Sequence, residues 1–213
     1  MHFLITAGGT REYIDPVRFI SNASSGKMGY ALARAAIKAG HKVTLITAPT
    51  NLRPPAQAKI VNVETSADMF AAVKKYFDRC NCLIMAAAVS DYTPAVTLKT
   101  KIKKGGRPLT LKLKPTTDIL KWAGENKDKS KKAKGKNKIV VGFALEDKDI
   151  RRSAEKKLND KNIDMIIANT PAAIGAEKST VWIKTSASDW VSFEDVTKTT
   201  LSGRIIKLVE NLR

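Results

Sequence analysis

Apolar residues along the chain fall in short compact blocks separated by longer stretches of helical spacing. His2–Ala7, Lys42–Ala48, Ile60–Val63 and Cys82–Val89 read as buried strands, the last as a central parallel strand because its apolar run is nearly unbroken. Between the first two, Met28, Ala31, Leu32, Ala35, Ala36 and Ala39 recur three and four residues apart. That spacing predicts one face of a helix from near Ser25 to a cap at Gly40. Ser66 is predicted to cap a second helix whose inner face carries Met69, Phe70, Val73, Tyr76 and Phe77.

Beyond Asp91 the pattern changes. Lys101–Lys104 and Leu109–Leu113 alternate with period two around Gly105-Gly106-Arg107-Pro108, which predicts a β-hairpin projecting from the sheet at about 96–114. Thr117-Asp118 is expected to cap a short helix through Leu120 and Trp122. Ile139–Phe143 reads as a strand, Asp149–Lys161 as a charged helix and Asp164–Asn169 as another strand. Val181–Ile183 and Trp190–Phe193 suggest a terminal hairpin, followed by a helix carrying Leu201, Ile205, Ile206, Leu208 and Val209. Strand–helix alternation of this kind predicts a three-layer, Rossmann-like α/β fold with a mainly parallel central sheet, a hairpin flap and a C-terminal hairpin. No linker or internal repeat divides the chain, so residues 1–213 are read as one domain.

Composition narrows the class. The 213 residues are 43% hydrophobic, enough for one sizeable core, with no apolar run of membrane-spanning length. Met1–Ile5 passes straight into a glycine-rich loop and reads as a strand, not a signal peptide. Cys80 and Cys82 are too close for a fold-stapling disulfide and have no second pair for a metal site, which fits a reducing cytoplasm. The net charge of +18 raises nucleic-acid binding as a candidate. Eight lysines lie between Lys121 and Lys138, however, and read as a solvated loop. Lys99, Lys101, Lys103 and Lys104 sit on the expected hairpin. Trp122 is the single aromatic among these lysines, no series on which to stack bases, so specific nucleic-acid binding is not expected.

The connection from the first strand to the first helix is several times longer than usual. It runs Thr6-Ala7-Gly8-Gly9-Thr10-Arg11-Glu12, then Asp15-Pro16-Val17-Arg18-Phe19-Ile20-Ser21-Asn22-Ala23-Ser24-Ser25-Gly26-Lys27-Met28-Gly29. A loop of this type, at the carboxyl end of a strand and feeding a helix N-terminus, suits an anion or nucleotide. Gly8 and Gly9 lack a Cβ and permit close backbone approach; Arg18 and Asn22 add a fixed cation and an amide. A nicotinamide-dependent oxidoreductase is the competing reading. It is opposed by the missing third glycine of the dinucleotide fingerprint and by a second strand that ends Ile46-Thr47-Ala48-Pro49 without an acid.

TAGGTRE, DPVRFISN and SSGKMG, followed by AAAVSDY, KIKK, VGFALE and IIAN, occur in an order and spacing that resembles the phosphopantothenate–cysteine ligase family, from residue 3 to about Asn169. The resemblance implies a ligase of coenzyme A synthesis. The 4′-phosphopantothenate carboxylate attacks the α-phosphate of a nucleoside triphosphate and releases pyrophosphate; L-cysteine then attacks the acyl-nucleotidylate. It implies CTP, with ATP as the alternative, accompanied by Mg²⁺ whose ligands it does not identify. It further implies a homodimer and a single-activity form with no flavin site.

By the same resemblance, Lys101 matches a flap lysine near the triphosphate and acyl-phosphate. Asn22 matches an asparagine holding the substrate carboxylate or acyl carbonyl. Arg18 matches an arginine reaching the neighbouring subunit's substrate; from composition alone it reads as a loop-bracing ion pair with Asp15 or Glu12. Ala87 and Ala88 match small residues meeting the substrate, and Asp91 an aspartate touching nucleotide and substrate. Thr117, Asp118, Ile119 and Leu120 match the segment cradling the base, Phe143 a nucleotide-contacting aromatic, and Lys157 and Lys161 two lysines of the CTP site. Gly8, Gly9, Thr10, Ser24, Ser25 and Gly26 suit a phosphate of either substrate. Tyr13, Ala23, Thr117, Leu145 and Asp147 depart from the commoner family residues.

Overall fold

The computed structural model describes residues 1–106, 108–129 and 138–212. Its centre is an eight-stranded sheet. Six strands are parallel, in the spatial order β5 (Lys59–Asn62), β4 (Lys42–Thr47), β1 (His2–Ala7), β6 (Cys82–Met85), β9 (Ile139–Leu145) and β10 (Met165–Asn169). β11 (Lys178–Thr185) and β12 (Val191–Thr197) then add antiparallel at the edge. The C-terminal hairpin is therefore part of the main sheet.

Helices cover both faces. α1 (Lys27–Lys38) and α5 (Lys198–Asn211) share one core layer; α2 (Ser66–Phe77), α3 (Ile119–Asn126) and α4 (Ile150–Asp160) share the other. Period-two alternation in β1 sends Phe3, Ile5 and Ala7 to the first layer and Leu4 to the second. The three-layer, mainly parallel α/β architecture is as expected from the sequence.

Several elements differ locally. The buried stripe of α1 is Gly29, Leu32, Ala33 and Ala36, with Tyr30, one position off the alanine-rich face expected. Gly29 is the reason: a Cβ there would stand 2.6 Å from Ala7 Cβ and 2.8 Å from Thr6 O, so the helix lies closest to β1 at a residue that carries no hydrophobic signal. Helix α2 is capped by Thr65, not Ser66, in a reciprocal box with Asp68. The expected Cys82–Val89 strand stops at Met85, and residues 86–89 leave the sheet.

The flap is corrected most. The expected arms form no ladder among the described residues. The pairing lies at the base instead, where β7 (Tyr92–Pro94) meets β8 (Leu113–Pro115). Arg107, in the expected turn, lies outside the described residues. The lysine-rich stretch is corrected in part. Lys121–Asn126 belong to α3, and Lys127 is buried against Asp164 at 2.8 Å. Lys138 is buried with its ammonium on the Phe77 and Cys80 carbonyls. Residues 130–137 lie outside the described residues. The long first connection also contains a small antiparallel pair, β2 (Arg11–Tyr13) with β3 (Phe19–Ser21).

Candidate active site

The chain leaves β1 toward β4 on one side and later returns to β6 on the other, so the strand order reverses beside β1. Ligands of open α/β sheets bind in the crevice that such a reversal opens at the carboxyl ends of the strands. A cavity of about 580 Å³ lies here. It is bounded by the segment before α1, residues 85–89 after β6, the segment leading into α3, the end of β9, helix α4 and the start of α5. Its volume suits a small-molecule ligand.

Most residues expected from the sequence meet in this space. Asn22, Ser24, Ser25, Gly26, Ala87, Ala88, Asp91, Thr117, Asp118, Ile119, Leu120, Phe143, Lys157 and Lys161 all line it. Gly26 caps α1 with a left-handed φ of 76°, the Lys27 N–H donates to Ser25 Oγ at 3.4 Å, and the start of the helix (Gly26, Lys27 and Met28) lines the cavity. Four lysines (Lys27, Lys157, Lys161 and Lys198) and two aspartates (Asp91 and Asp118) make up its charged lining. The excess of cations favours an anionic ligand.

Each of the two lysines at the end of α4 is steered by an acid. Lys161 stands 2.9 Å from Asp118 Oδ2, while Asp118 Oδ1 accepts the Lys121 N–H at 2.9 Å and caps α3. Burial works to raise the Asp118 carboxyl, but the Lys121 N–H and the Lys161 ammonium outweigh it and hold it below its usual value. Lys157 forms an ion pair with Glu146 at 2.6 Å. Lys157, in the last turn of α4, and Lys161, its C-cap, thus present a braced pair of ammonium groups four residues apart.

Gly8, Gly9 and Thr10, expected to suit a phosphate, do not line the cavity. Gly8, at φ 82°, lies so close to Ala48 that a Cβ would stand 2.9 Å from its carbonyl oxygen; at Gly9 the clash would be with Asn22 O at 2.7 Å. Thr10 is fully buried and its Oγ1 accepts the Ser90 N–H at 3.0 Å. With the Ala88 N–H on Gly8 O at 2.9 Å, these residues hold the 88–90 segment from behind. The Asn22 amide donates to the carbonyls of Ala88 and Val89 at 3.3 and 3.2 Å, joining the two loops that face the cavity.

Arg18 and Lys101 also lie outside the cavity lining of their own chain. The Arg18 guanidinium contacts Asp15 Oδ2 at 2.6 Å and Ile102 O at 3.1 Å, so the loop-bracing ion pair is present. Lys101 is exposed on the segment just before that contact.

The family described as DNA/pantothenate metabolism flavoprotein C-terminal domain matches residues 1–212. The chain belongs to that family. Among its relatives, the coenzyme A biosynthesis bifunctional protein CoaBC of Bacillus subtilis (strain 168) is 48% identical over 176 residues, which is 82% of this chain and 41% of that protein. A cysteine/cysteine sulfinic acid decarboxylase from an unknown prokaryotic organism is 42% identical over 213 residues, 98% of this chain and 57% of that protein. The crystal structure of the C-terminal domain of CoaBC superposes with a TM-score of 0.83 at 36% identity, covering 99% of this chain and 94% of that one. The chain thus spans about half the length of the curated relatives it matches.

In this pantothenate-metabolism fold, sequence reasoning overlooked Lys27, Lys198 and Glu146. Lys27 and Lys198 open α1 and α5 and both reach the 173–177 loop, Lys27 through Glu177 and Gly175 O, Lys198 through the carbonyls of Ala173 and Ala176. Burial lowers the Lys198 ammonium below its usual value despite Glu177 nearby. Lys27 stands within the quoted SSGKMG block, and Glu146 within VGFALE, so signals for both existed. Lys198 had none, because it reaches the cavity from the far end of the chain.

Proposed function

We propose that the chain is a phosphopantothenate–cysteine ligase domain of coenzyme A synthesis, a single domain over residues 1–213. The observation that carries this reading is the convergence of sequence-distant blocks on one cationic cavity at the sheet's crossover point. Asn22, Ser24 to Gly26, Ala87, Ala88, Asp91, Thr117 to Leu120, Phe143, Lys157 and Lys161 come from five separate segments and share that lining. Family membership and the resemblance to a CoaBC C-terminal domain support the same assignment.

In this reading the triphosphate of CTP, with ATP as the alternative, lies near Lys157 and Lys161, with the base beside Phe143 and the 117–120 segment. The N-terminus of α1, with Ser24, Ser25 and Gly26, receives a phosphate of either substrate. The 4′-phosphopantothenate carboxylate attacks the α-phosphorus, the bond to pyrophosphate breaks, and an acyl-nucleotidylate forms. The cysteine amine then attacks the acyl carbon, a proton leaves the nitrogen, and the nucleoside monophosphate departs. Asn22 shifts its amide from the Ala88 and Val89 carbonyls to the acyl oxygen. Lys101 supplies positive charge when the flap closes and excludes water from the labile intermediate.

Among the described residues no three His, Cys, Asp or Glu side chains cluster to hold a metal. In this reading Mg²⁺ arrives on the triphosphate, since this ion binds through phosphates and one or two carboxylates. Asp91, exposed at the cavity, is the carboxylate we assign to it; bound Mg²⁺ would neutralise phosphate charge.

We further propose a homodimer in which Arg18 serves the partner's site. Two observations support it. Arg18 does not line its own chain's cavity, and Val17 and Val96 on the neighbouring surface are 58% and 73% exposed. No helix of the described residues is long and apolar enough to cross a membrane. The coenzyme A biosynthesis relatives support an assignment to the cytoplasm.

The deciding assay is pyrophosphate release from 4′-phosphopantothenate, Mg²⁺ and CTP or ATP, with and without cysteine. Sustained turnover that requires cysteine is expected, with CTP preferred. No release with either nucleotide from folded protein, or carbon dioxide released from cysteine alone, overturns the ligase assignment.

A further inference from the structure

The loop before β3 and the flap are far apart in sequence, yet one buried carboxylate joins them. Asp15 is fully buried. Its Oδ1 accepts the N–H groups of Val17 and Arg18, both at 2.8 Å. Its Oδ2 accepts from Arg18 Nη1 at 2.6 Å and from the Ile102 N–H at 3.0 Å. The same Arg18 Nη1 donates to Ile102 O at 3.1 Å. Both backbone polar groups of Ile102 are therefore held by an Asp15–Arg18 pair 84 to 87 residues away. Two further bonds run alongside: Leu98 N–H to Ile14 O at 2.9 Å and Thr97 Oγ1 to Tyr13 O at 3.0 Å.

A clasp of this kind is more than a local turn. An Asx-type turn needs only the two Oδ1 bonds. The second oxygen is committed to a segment outside the turn, and to the residue directly after Lys101. The flap around it makes no ladder in its expected arms, so these contacts are what fix its first half. Both Arg18 side-chain contacts use Nη1 alone, which leaves the three N–H donors on Nε and Nη2.

We infer that Asp15 is a positioning residue for the ligase reaction, which clasps the Ile102 backbone so that Lys101 is carried at a fixed place on the flap. This rests on the ligase reading and names the device by which its flap lysine is set. An ordered donor needs less reorganisation when charge develops, and misplacement of about 1 Å can cost roughly a hundredfold in rate.

The test is a double-mutant cycle of Asp15→Asn and Lys101→Gln, with amide hydrogen exchange at Ile102 as a readout that needs no substrate. The asparagine amide cannot accept from Ile102 where it presents its own N–H groups, so faster exchange at Ile102 is expected. A fall in kcat of about tenfold to a hundredfold should accompany it. In the Lys101→Gln background the same change should cost clearly less, because its target is already gone. Thr97→Val removes a second tie of the same segment at an exposed position. It serves if Asp15→Asn fails to fold, and is expected to lower kcat several-fold in wild type and not at all beside Lys101→Gln. Losses that multiply in both cycles, or unchanged Ile102 exchange in folded Asp15→Asn protein, overturn the positioning role. Wild-type protein that shows the protected Ile102 amide but no turnover overturns the ligase reading and leaves the clasp standing.

Discussion

Asp15 shows how one side chain's environment becomes a property of the whole fold. Burial works to raise its carboxyl; N–H donation from Ile102, Val17 and Arg18, together with the Arg18 guanidinium, outweighs that and lowers it from 3.8 to about 2. A carboxylate whose folded value lies below its unfolded one contributes stability that is complete above the unfolded value and disappears as pH falls through the folded one. The window here runs from just above pH 4 down to about pH 2. Thermal unfolding of the wild type should therefore fall steeply across that interval. Asp15→Asn, which does not titrate, should be less stable at pH 7 and show a shallower fall between pH 4 and pH 2. Parallel curves for the two proteins would show that Asp15 is not tied as described. Lys157 and Lys161 make a complementary point. As bare helix lysines they read as solvent-facing, and their place at the cavity comes from Glu146 and Asp118, which hold them there.

At the scale of elements, two glycines in helices are expected to respond oppositely to the same change. Gly→Ala in an exposed helix interior stabilises by about 1 kcal/mol. Gly203 in α5 has nothing within 4 Å of a built Cβ, so Gly203→Ala should raise the urea midpoint by that order. At Gly29 the added methyl meets Ala7 Cβ and the Thr6 carbonyl of β1, neither of which is a flexible side-chain end. Gly29→Ala should destabilise by about 1–3 kcal/mol as α1 is pushed off the sheet. Stabilisation at both positions would mean that α1 does not pack on β1 this closely. The same glycine shows where the sequence was readable. The strands and helices announced themselves because each buries a regular stripe, and the parallel order followed from their alternation. The stripe of α1 was misread by one position because its closest contact is a residue without a side chain. The flap was misread because Lys101–Lys104 and Leu109–Leu113 alternate like strands but have no apolar layer to cover. Among the described residues only Tyr92–Pro94 and Leu113–Pro115, at the rim, pair. The cavity residues emerged from motif resemblance far more than from periodicity. Thr10 and Gly9 entered that set through their neighbours and proved to be supports.

Across the whole molecule the same cavity has an incomplete cast. Asn22 lines it, while Arg18, four residues away in the same motif, is turned to Asp15 and Ile102 and does not. A folded loop thus separates two residues that the proposed reaction needs together. A two-fold dimer resolves the separation, because each interface residue then appears twice and an arginine at the rim of one chain can face the other's cavity. The exposed Val17 and Val96 offer apolar surface at that rim. Mixing Arg18→Ala with Asn22→Ala protein, each inactive alone, tests this arrangement. After random subunit exchange half of the dimers are hybrids, and each hybrid holds one site with Asn22 from its own chain and Arg18 from the partner. Its second site lacks both. The symmetry sets an upper bound of roughly a quarter of wild-type activity, and recovery below that bound is expected because the Arg18→Ala chain also loses the Arg18 bonds to Asp15 and Ile102. Subunit exchange is followed with differently tagged chains. Hybrid dimers that form and remain inactive would place Arg18 and Asn22 at the same site of one chain, and would require the clasp at Ile102 to open within that chain before catalysis.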